Sequence, residues 1–265
     1  MGEILFVGVG LYDEKGLSLR ALEELRGVST VFIEQYTAVL APGTVQRLSE
    51  LIGHPILELP RSAVEEERPI LEALERKGKV ALLIPGEPFA ATTHLSLRIT
   101  VEQKGHTWRV LHGASILTAA ASLAGLFHYK FGRVVSLPYP SSEGSYRPIS
   151  PYRHIQANWQ AGLHTLILLD LDPSLERFLT AEVALRHLGQ LEEELHGGVA
   201  PPEREYCVVA RAGAPDARVW VGPRIELETR EFGPPLHCLL LPAPPLHFME
   251  EEALGLWKRS VTGVP

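Results

Sequence analysis

Two runs constrain the fold of this chain more than any other feature. ILFVGVG (4–10) is apolar without interruption, KVALLIP (79–85) is apolar after its first lysine, and each ends in a glycine or proline turn. Runs of this length with no polar alternation are what strands need when both faces of their sheet are covered. The segments between and after them carry helical spacing. Ser18 can cap LRALEELRG, where Leu19, Leu22 and Leu25 recur every three positions and Gly27 marks the stop. VSTVFIE (28–34) reads as a strand, TVQRLSELIG (44–53) as a helix and PILELP (55–60) as a short strand. SAVEEERPILEALERKG (62–78) reads as a helix with a kink at Pro69. A helix from Thr92 to Lys104 and a strand at TWRVLH (107–112) complete the alternation. Strand–helix alternation predicts a mostly parallel sheet with helices on both sides.

The second half is less regular. A helix at SILTAAASLAG (115–125) precedes strands at GRVVSLP (132–138) and HTLILLD (164–170). A long polar-faced helix follows at TAEVALRHLGQLEEELHGG (180–198). YCVVARAG (206–213), ARVWVG (217–222) and HCLLLP (237–242) are further strands, with a closing helix near 245–257. Hairpin-like spacing among them predicts a mixed sheet. The expected organisation is two α/β domains, 1–112 and 113–265. SLPYPSSEGSYRPISPY (136–152) reads as a long loop, and long ordered loops are commonly functional.

Composition excludes several classes. At 265 residues, 45% hydrophobic and 22% charged, the chain has the make-up of an ordinary globular protein. A net charge of −7 provides no basic footprint for nucleic acid. Cys207 and Cys238 have no near neighbour of their kind, which excludes a CxxC motif and points to buried thiols in a reducing compartment. No run approaches the ~18 apolar residues of a membrane helix, and the N-terminus lacks a basic leader. A cytoplasmic protein is expected.

Three strand-to-helix junctions concentrate small residues. GVG (8–10) follows a strand, but a dinucleotide fingerprint needs a third glycine where Asp13 stands. PGEPFAATTH (85–94) stiffens its turn with Pro85 and Pro88, frees the backbone at Gly86 and offers little bulk at Ala90 and Ala91. Thr92 or Thr93 can cap the helix that follows. HGASILTA (112–119) repeats the pattern, with Ser115 as N-cap. In a parallel sheet all three junctions fall at one edge, where open sheets bind ligands, so a backbone-lined pocket for a flat, uncharged group is expected. Each junction taken singly is also an ordinary turn or cap.

Among eleven histidines no HExxH, HxH or His/Cys cluster has metal-ligand spacing, and no G-x-S-x-G elbow exists for acyl chemistry. Most read as surface or satisfied core residues. His237, delivered by FGPPLH to a strand mouth, and His94, at the front of a helix, stand apart.

FVGVGLYDEKGLSLRALEEL, YTA (36–38), PGEPFAATTHLSLR, LHGASILTA, FG (131–132) with PYP (138–140), GLHTLILLD, ARAG and FGPPLH follow one another in a family-specific order. Through these blocks the chain resembles the diphthine synthases, of archaeal type, in the tetrapyrrole-methylase superfamily. The resemblance implies two α/β domains with S-adenosyl-L-methionine in the cleft between them, usually in a homodimer. It implies repeated N-methylation of the 3-amino-3-carboxypropyl-modified histidine of translation elongation factor 2. By the same resemblance the cofactor meets Leu11, Glu87, Ala90, Ser115, Ile116, Leu169, Ala212 and His237. The family motif commonly reads G-D-P, whereas this chain has Gly86-Glu87-Pro88. The longer acid is expected to reach further or fold back, with Ala90, in place of a commoner valine, freeing space. No residue is singled out as a general base. Tyr146 and Arg147 in SSEGSYRP (141–148) are the candidate docking face for the protein substrate. A tetrapyrrole or ribosomal RNA methylase of the same superfamily, or a non-catalytic S-adenosylmethionine-binding module, are the alternative readings.

Overall fold

The computed structural model describes residues 1–76, 78–90, 92–140 and 149–261. It separates into two compact units, Met1–Ile116 with Pro173–Leu175, and Leu117–Asp172 with Glu176–Pro265. Both are α/β, the first around a parallel sheet and the second around a mixed one. No helix among the described residues is long and apolar enough to cross a membrane.

In chain order the first unit comprises β1 (Glu3–Gly10), α1 (Leu19–Leu25), β2 (Thr30–Glu34), α2 (Thr44–Ile52) and β3 (Ile56–Leu59). It continues with α3 (Arg61–Glu65), α4 (Arg68–Glu75), β4 (Lys79–Pro85), α5 (Leu95–Gln103) and β5 (Thr107–Leu111). The five strands lie in the order β3-β2-β4-β1-β5, every neighbour parallel. The apolar runs sit at the middle because both faces are covered there. Leu5, Val7, Val9, Ile33 and Leu83 pack on α1 and α2 through Leu25, Leu48 and Ile52. Ile4, Phe6, Val80, Leu82 and Ile84 pack on α4 and α5 through Ile70, Leu74, Leu97 and Val101. Each such side chain contributes about 1.5–3 kcal/mol when fully buried.

Local signals set several element ends. Ser18 Oγ accepts the Ala21 N–H at 3.1 Å, the cap expected of it. The segment read as one kinked helix is instead two. Glu67 adopts a left-handed φ of 60°, and Pro69 enters the first turn of α4, where its missing N–H costs nothing. Proline here starts a helix rather than bending one. The helix expected from Thr92 begins at Leu95, with neither threonine as cap: His94 holds that position, and Thr92 Oγ1 donates to Pro88 O at 2.7 Å.

The second unit comprises α6 (Ile116–Ala124), β6 (Val135–Leu137), α7 (Ile149–Gln160) and β7 (Thr165–Leu169), then the short ribbon β8 (Leu171–Asp172) and β9 (Arg177–Phe178). It ends with α8 (Ala181–Leu195), β10 (Glu205–Ala210), β11 (Arg218–Pro223), α9 (Arg224–Leu227), β12 (His237–Leu241) and α10 (Phe248–Val261). The sheet order is β11-β10-β12-β7-β6, with only β6 and β7 parallel. Leu137, Ile167, Tyr206, Val208, Leu239 and Leu241 meet Tyr152, Ile155, Leu185 and Leu188 of α7 and α8.

Helix α7 corrects the end of the loop reading of 136–152, from Ile149 onward. Tyr152, Ile155 and Asn158 share a buried face three residues apart, and Pro151 falls within the first turn. Asn158 holds its place through the Arg133 carbonyl at 2.8 Å and Thr165 Oγ1 at 3.0 Å. A buried polar residue on the inner face hides the helical period from an apolar count. Ala91 and the segment 141–148, with Tyr146 and Arg147, lie outside the described residues. Both cysteines are buried and free, and burial pushes the Cys238 thiol up to about 12.

Candidate functional site

Parallel pairing brings the ends of β1, β4 and β5 to one edge of the first sheet. There the backbones of Gly8, Gly86 and Gly113 pack directly on one another. A Cβ on Gly8 would stand 2.5 Å from both Gly113 N and Gly86 O, and one on Gly113 would stand 2.7 Å from the Gly8 carbonyl carbon. Only glycine fits such an approach. Gly10 and Gly86, both left-handed with φ of 87° and 77°, exchange backbone hydrogen bonds at 3.3 and 2.7 Å. The three junctions thus form one floor of bare main chain. Leu11 continues from β1 and Ser115 immediately precedes α6, which opens with Ile116.

Glu87 folds back instead of reaching outward. Its Oε2 accepts the Gly113 N–H at 3.0 Å, and its Oε1 lies 2.7 Å from His112 Nδ1. The carboxylate therefore ties the loop after β4 to the loop after β5. Ala90 closes the turn by donating its N–H to Glu87 O at 3.2 Å, and Phe89 anchors the loop on Phe6 at 4.9 Å between ring centroids.

Beneath this loop lies a buried polar cluster. His94 Nδ1 bonds the Pro88 carbonyl and Nε2 the Tyr36 hydroxyl, each at 3.2 Å. A carbonyl only accepts, so Nδ1 carries the hydrogen and Nε2 accepts from Tyr36. Burial drives the His94 pKa down to about 4, so the ring is neutral. Glu34, fully buried at the end of β2, accepts from Tyr36 N, Thr37 N and the Thr37 hydroxyl, and burial raises its pKa. His94 is a pillar for the 86–90 loop.

In the second unit the register gathers the remaining predicted residues. Leu169 ends β7 opposite Leu137 of β6. His237 begins β12 opposite Ala210 of β10, and the Arg211 N–H donates to Leu236 O at 2.8 Å. Because β12 runs antiparallel to both neighbours, its first residue lies beside their last ones. Leu169, Ala212 and His237 thereby share an edge although they are far apart in sequence. The His237 ring is occupied on both sides: Nδ1 accepts the Ala181 N–H at 3.3 Å and Nε2 donates to Pro234 O at 3.1 Å. Burial lowers its pKa, so it is neutral with no nitrogen to spare.

Three residues passed over in the sequence belong to this framework. Arg211, at a left-handed φ of 51°, binds Asp216 at 2.7 Å and the carbonyls of Phe232 and Pro234 at 2.9 and 3.0 Å, fixing the turn that presents Ala212. Tyr36 supports His94. His112, the first residue of the third junction, holds Glu87. Only His112 had a signal, a histidine directly at a strand end. Two open grooves in the first unit, of 770 Å³ along α1 and β5 and 740 Å³ beside α2, are lined by none of the predicted residues.

The profile of the family described as Tetrapyrrole (Corrin/Porphyrin) Methylases matches residues 3–228. A diphthine synthase of Methanothermobacter thermautotrophicus is 41% identical over 252 residues, covering 95% of this chain and 94% of the relative. One from Methanocaldococcus jannaschii is 37% identical over 253 residues, covering 95% and 97%. A crystal structure of diphthine synthase superposes with a TM-score of 0.86 at 34% identity, over 97% of this chain and 96% of the other. With both sheets and their glycine junctions accounted for along that whole length, the chain belongs to the tetrapyrrole methylase family and, within it, to the diphthine synthases.

Proposed function

We propose that this protein methylates the amino group of a 3-amino-3-carboxypropyl-modified histidine in translation elongation factor 2, up to the trimethylated product, using S-adenosyl-L-methionine. The observation that carries the reading is the bare main-chain floor at Gly8, Gly86 and Gly113 in a chain matched end to end by diphthine synthases. A Cβ at Gly8 or Gly113 would strike the neighbouring junction, so these glycines bring three strand-end backbones into contact, and main chain free of side chains suits a flat, uncharged group lying against it. The residues proposed to hold the cofactor are Leu11, Glu87, Ala90, Ser115 and Ile116 from the first unit and Leu169, Ala212 and His237 from the second. Domain limits of 1–112 and 113–265, a homodimer and a cytoplasmic location go with the same reading.

Bound there, S-adenosylmethionine supplies an activated methyl group whose in-line transfer needs no covalent enzyme intermediate. The chain supplies orientation and a mild electrostatic setting. The sulfonium charge disappears during transfer, so a strong anion beside it would favour the ground state over the transition state. The neutral backbone floor avoids that penalty. Glu87 adjoins it, and both of its carboxylate oxygens are engaged, one by Gly113 N–H and one by His112. His237, neutral and doubly bonded, adds no charge and is positioned to orient.

Mass spectrometry of elongation factor 2 bearing the precursor side chain, before and after incubation with this protein and the cofactor, tests the reading. Mass gains in steps of one methyl are expected. No gain, with the precursor verified as present, would sink it.

A further inference from the structure

His112 differs from the other two histidines at these sheet edges. His94 and His237 have both ring nitrogens engaged by their own chain. His112 has one. Its Nδ1 faces Glu87 Oε1 at 2.7 Å, and the other carboxylate oxygen is held by Gly113 N–H at 3.0 Å. An ionised carboxylate only accepts, so the hydrogen sits on Nδ1, and in the neutral ring the lone pair is then on Nε2. The Glu87 side chain is 18% exposed and that of His112 78%, so the free nitrogen faces outward while the ring is steered from below. Nε2 has no partner among the described residues. It stands on the junction that leads directly to Ser115 and Ile116.

We propose that His112 is the proton acceptor for the substrate amine, with Glu87 as its positioning residue; this rests on the function proposed above. An alkylammonium has no lone pair and cannot accept a methyl group. An N–H bond of the ammonium breaks, the proton moves to His112 Nε2, and the nitrogen keeps the electron pair. That pair forms the new N–CH₃ bond as the methyl–sulfur bond breaks with its electrons passing to sulfur. Each methylation leaves a protonated amine that sheds its next proton by the same route, after the imidazolium has returned the previous one to water. The third methyl leaves a quaternary nitrogen with no proton to lose, and the sequence stops. Glu87 stabilises the imidazolium formed at every round, as a carboxylate paired with a histidine does. The methylene by which Glu87 exceeds the family's commoner aspartate is part of the arm that returns its carboxylate to residues 112 and 113.

The test combines single-turnover methyl transfer to precursor-bearing elongation factor 2, calorimetry with S-adenosylmethionine, and ¹⁵N NMR of the histidine rings in the cofactor-free protein. His112→Gln is expected to slow transfer about 100-fold at neutral pH, the range of a lost general base, with cofactor affinity unchanged. Added imidazole, or a pH high enough for the amine to lose its own proton, should restore much of the rate. Glu87→Gln, assayed at saturating cofactor because Glu87 is also proposed to hold it, should show a smaller loss with the same relief. In the native protein, at a pH where the His112 ring is neutral, its signals should report the tautomer with hydrogen on Nδ1. An undiminished rate in His112→Gln, a loss that neither imidazole nor alkaline pH relieves, or hydrogen on Nε2 of the neutral ring would each overturn the inference. Native protein that transfers no methyl at all would fell the substrate reading together with this role; native transfer with an indifferent His112→Gln overturns the role alone.

Discussion

In the first unit every strand runs the same way, so all strand exits share an edge; in the second, β12 runs against β7 and β10, so its entrance lies among their exits. The two sheets therefore assemble their edges from different kinds of position. In the parallel sheet, three junctions bring glycine backbone together, so that a Cβ added at Gly8 or Gly113 would stand 2.4–2.8 Å from its neighbours. In the mixed sheet, the edge combines the ends of β7 and β10 with the start of β12, and polar groups there are fixed by side-chain bonds from Arg211 and His237. The first edge adds close glycine contact to its side-chain bonds, whereas the second relies on the side-chain bonds. Substitutions that probe each should differ in kind.

The largest expected effect is at the glycine floor. Gly113→Ala forces a methyl against the Gly8 and Gly86 backbones, which have nowhere to move, and should cost about 3 kcal/mol or more. Gly222→Ala in β11, where the nearest atoms lie at 3.8 Å, should stay within about 0.5 kcal/mol. Urea unfolding of both variants measures the contrast. Equal stability would break the distinction between a close-packed and an open glycine.

Next comes acid. Glu250 in the second unit is buried and accepts from Lys130, Phe127 N and His247 N, with His164 at 3.0 Å, and its pKa falls from 4.5 to about 2. A lowered folded-state pKa stabilises above pH 4.5 and loses that contribution as pH falls toward 2, in all about 3 kcal/mol. Glu34 in the first unit is raised by burial, so its protonation on acidification favours the folded state instead. Amide exchange followed downward from pH 5 should show β7 and β12, next to Glu250, losing protection as that carboxylate takes up its proton. Glu250→Gln should lessen the acid dependence of the second unit, where the Glu192 carboxyl is lowered too, and an unchanged pH profile in that variant would contradict the role given to Glu250.

A smaller effect is expected at His237. Removing the ring in His237→Ala strands the Ala181 N–H and loosens the 234–237 approach. Cofactor affinity should fall about tenfold, or about 1.4 kcal/mol, while a saturated single turnover slows less. Calorimetry beside quench-flow separates the two, and the reverse order would remove His237 from the binding set. Smallest is the capping pair. Ser18→Ala should cost about 1 kcal/mol, because its hydroxyl accepts a backbone N–H of α1. Thr180→Ala should cost less, because that hydroxyl bonds Glu182 at 2.6 Å and caps no backbone group of α8. Thermal melts of the two variants would show the order.

Much of the first unit was legible because its signals are local. Apolar runs, Ser18 as cap and glycine at strand exits each act within a few residues, and parallel topology then carries the junctions to one edge without further information. Helix α7 was illegible for the opposite reason, since Asn158 on its inner face is satisfied by Arg133 and Thr165 from other segments. The break before Pro69 escaped notice because proline bends a helix interior but begins a helix equally well, and only the left-handed Glu67 decides between the two. His112 sat inside a recognised block, yet its imidazole acquires meaning only from the carboxylate that folds onto it.

The amino-acid sequence by itself determined the α/β class, the parallel first sheet and which three turns could expose bare main chain, because spacing and side-chain size act along the chain. Tertiary structure alone decided that Glu87 turns inward, that His237 is spent on Ala181 and Pro234, and that the end of β7 and the start of β12 lie side by side. Those outcomes depend on strand register and on which donor lies within about 3 Å of which acceptor, and hydrogen bonds are too short-ranged and directional to be read before the backbone is in place.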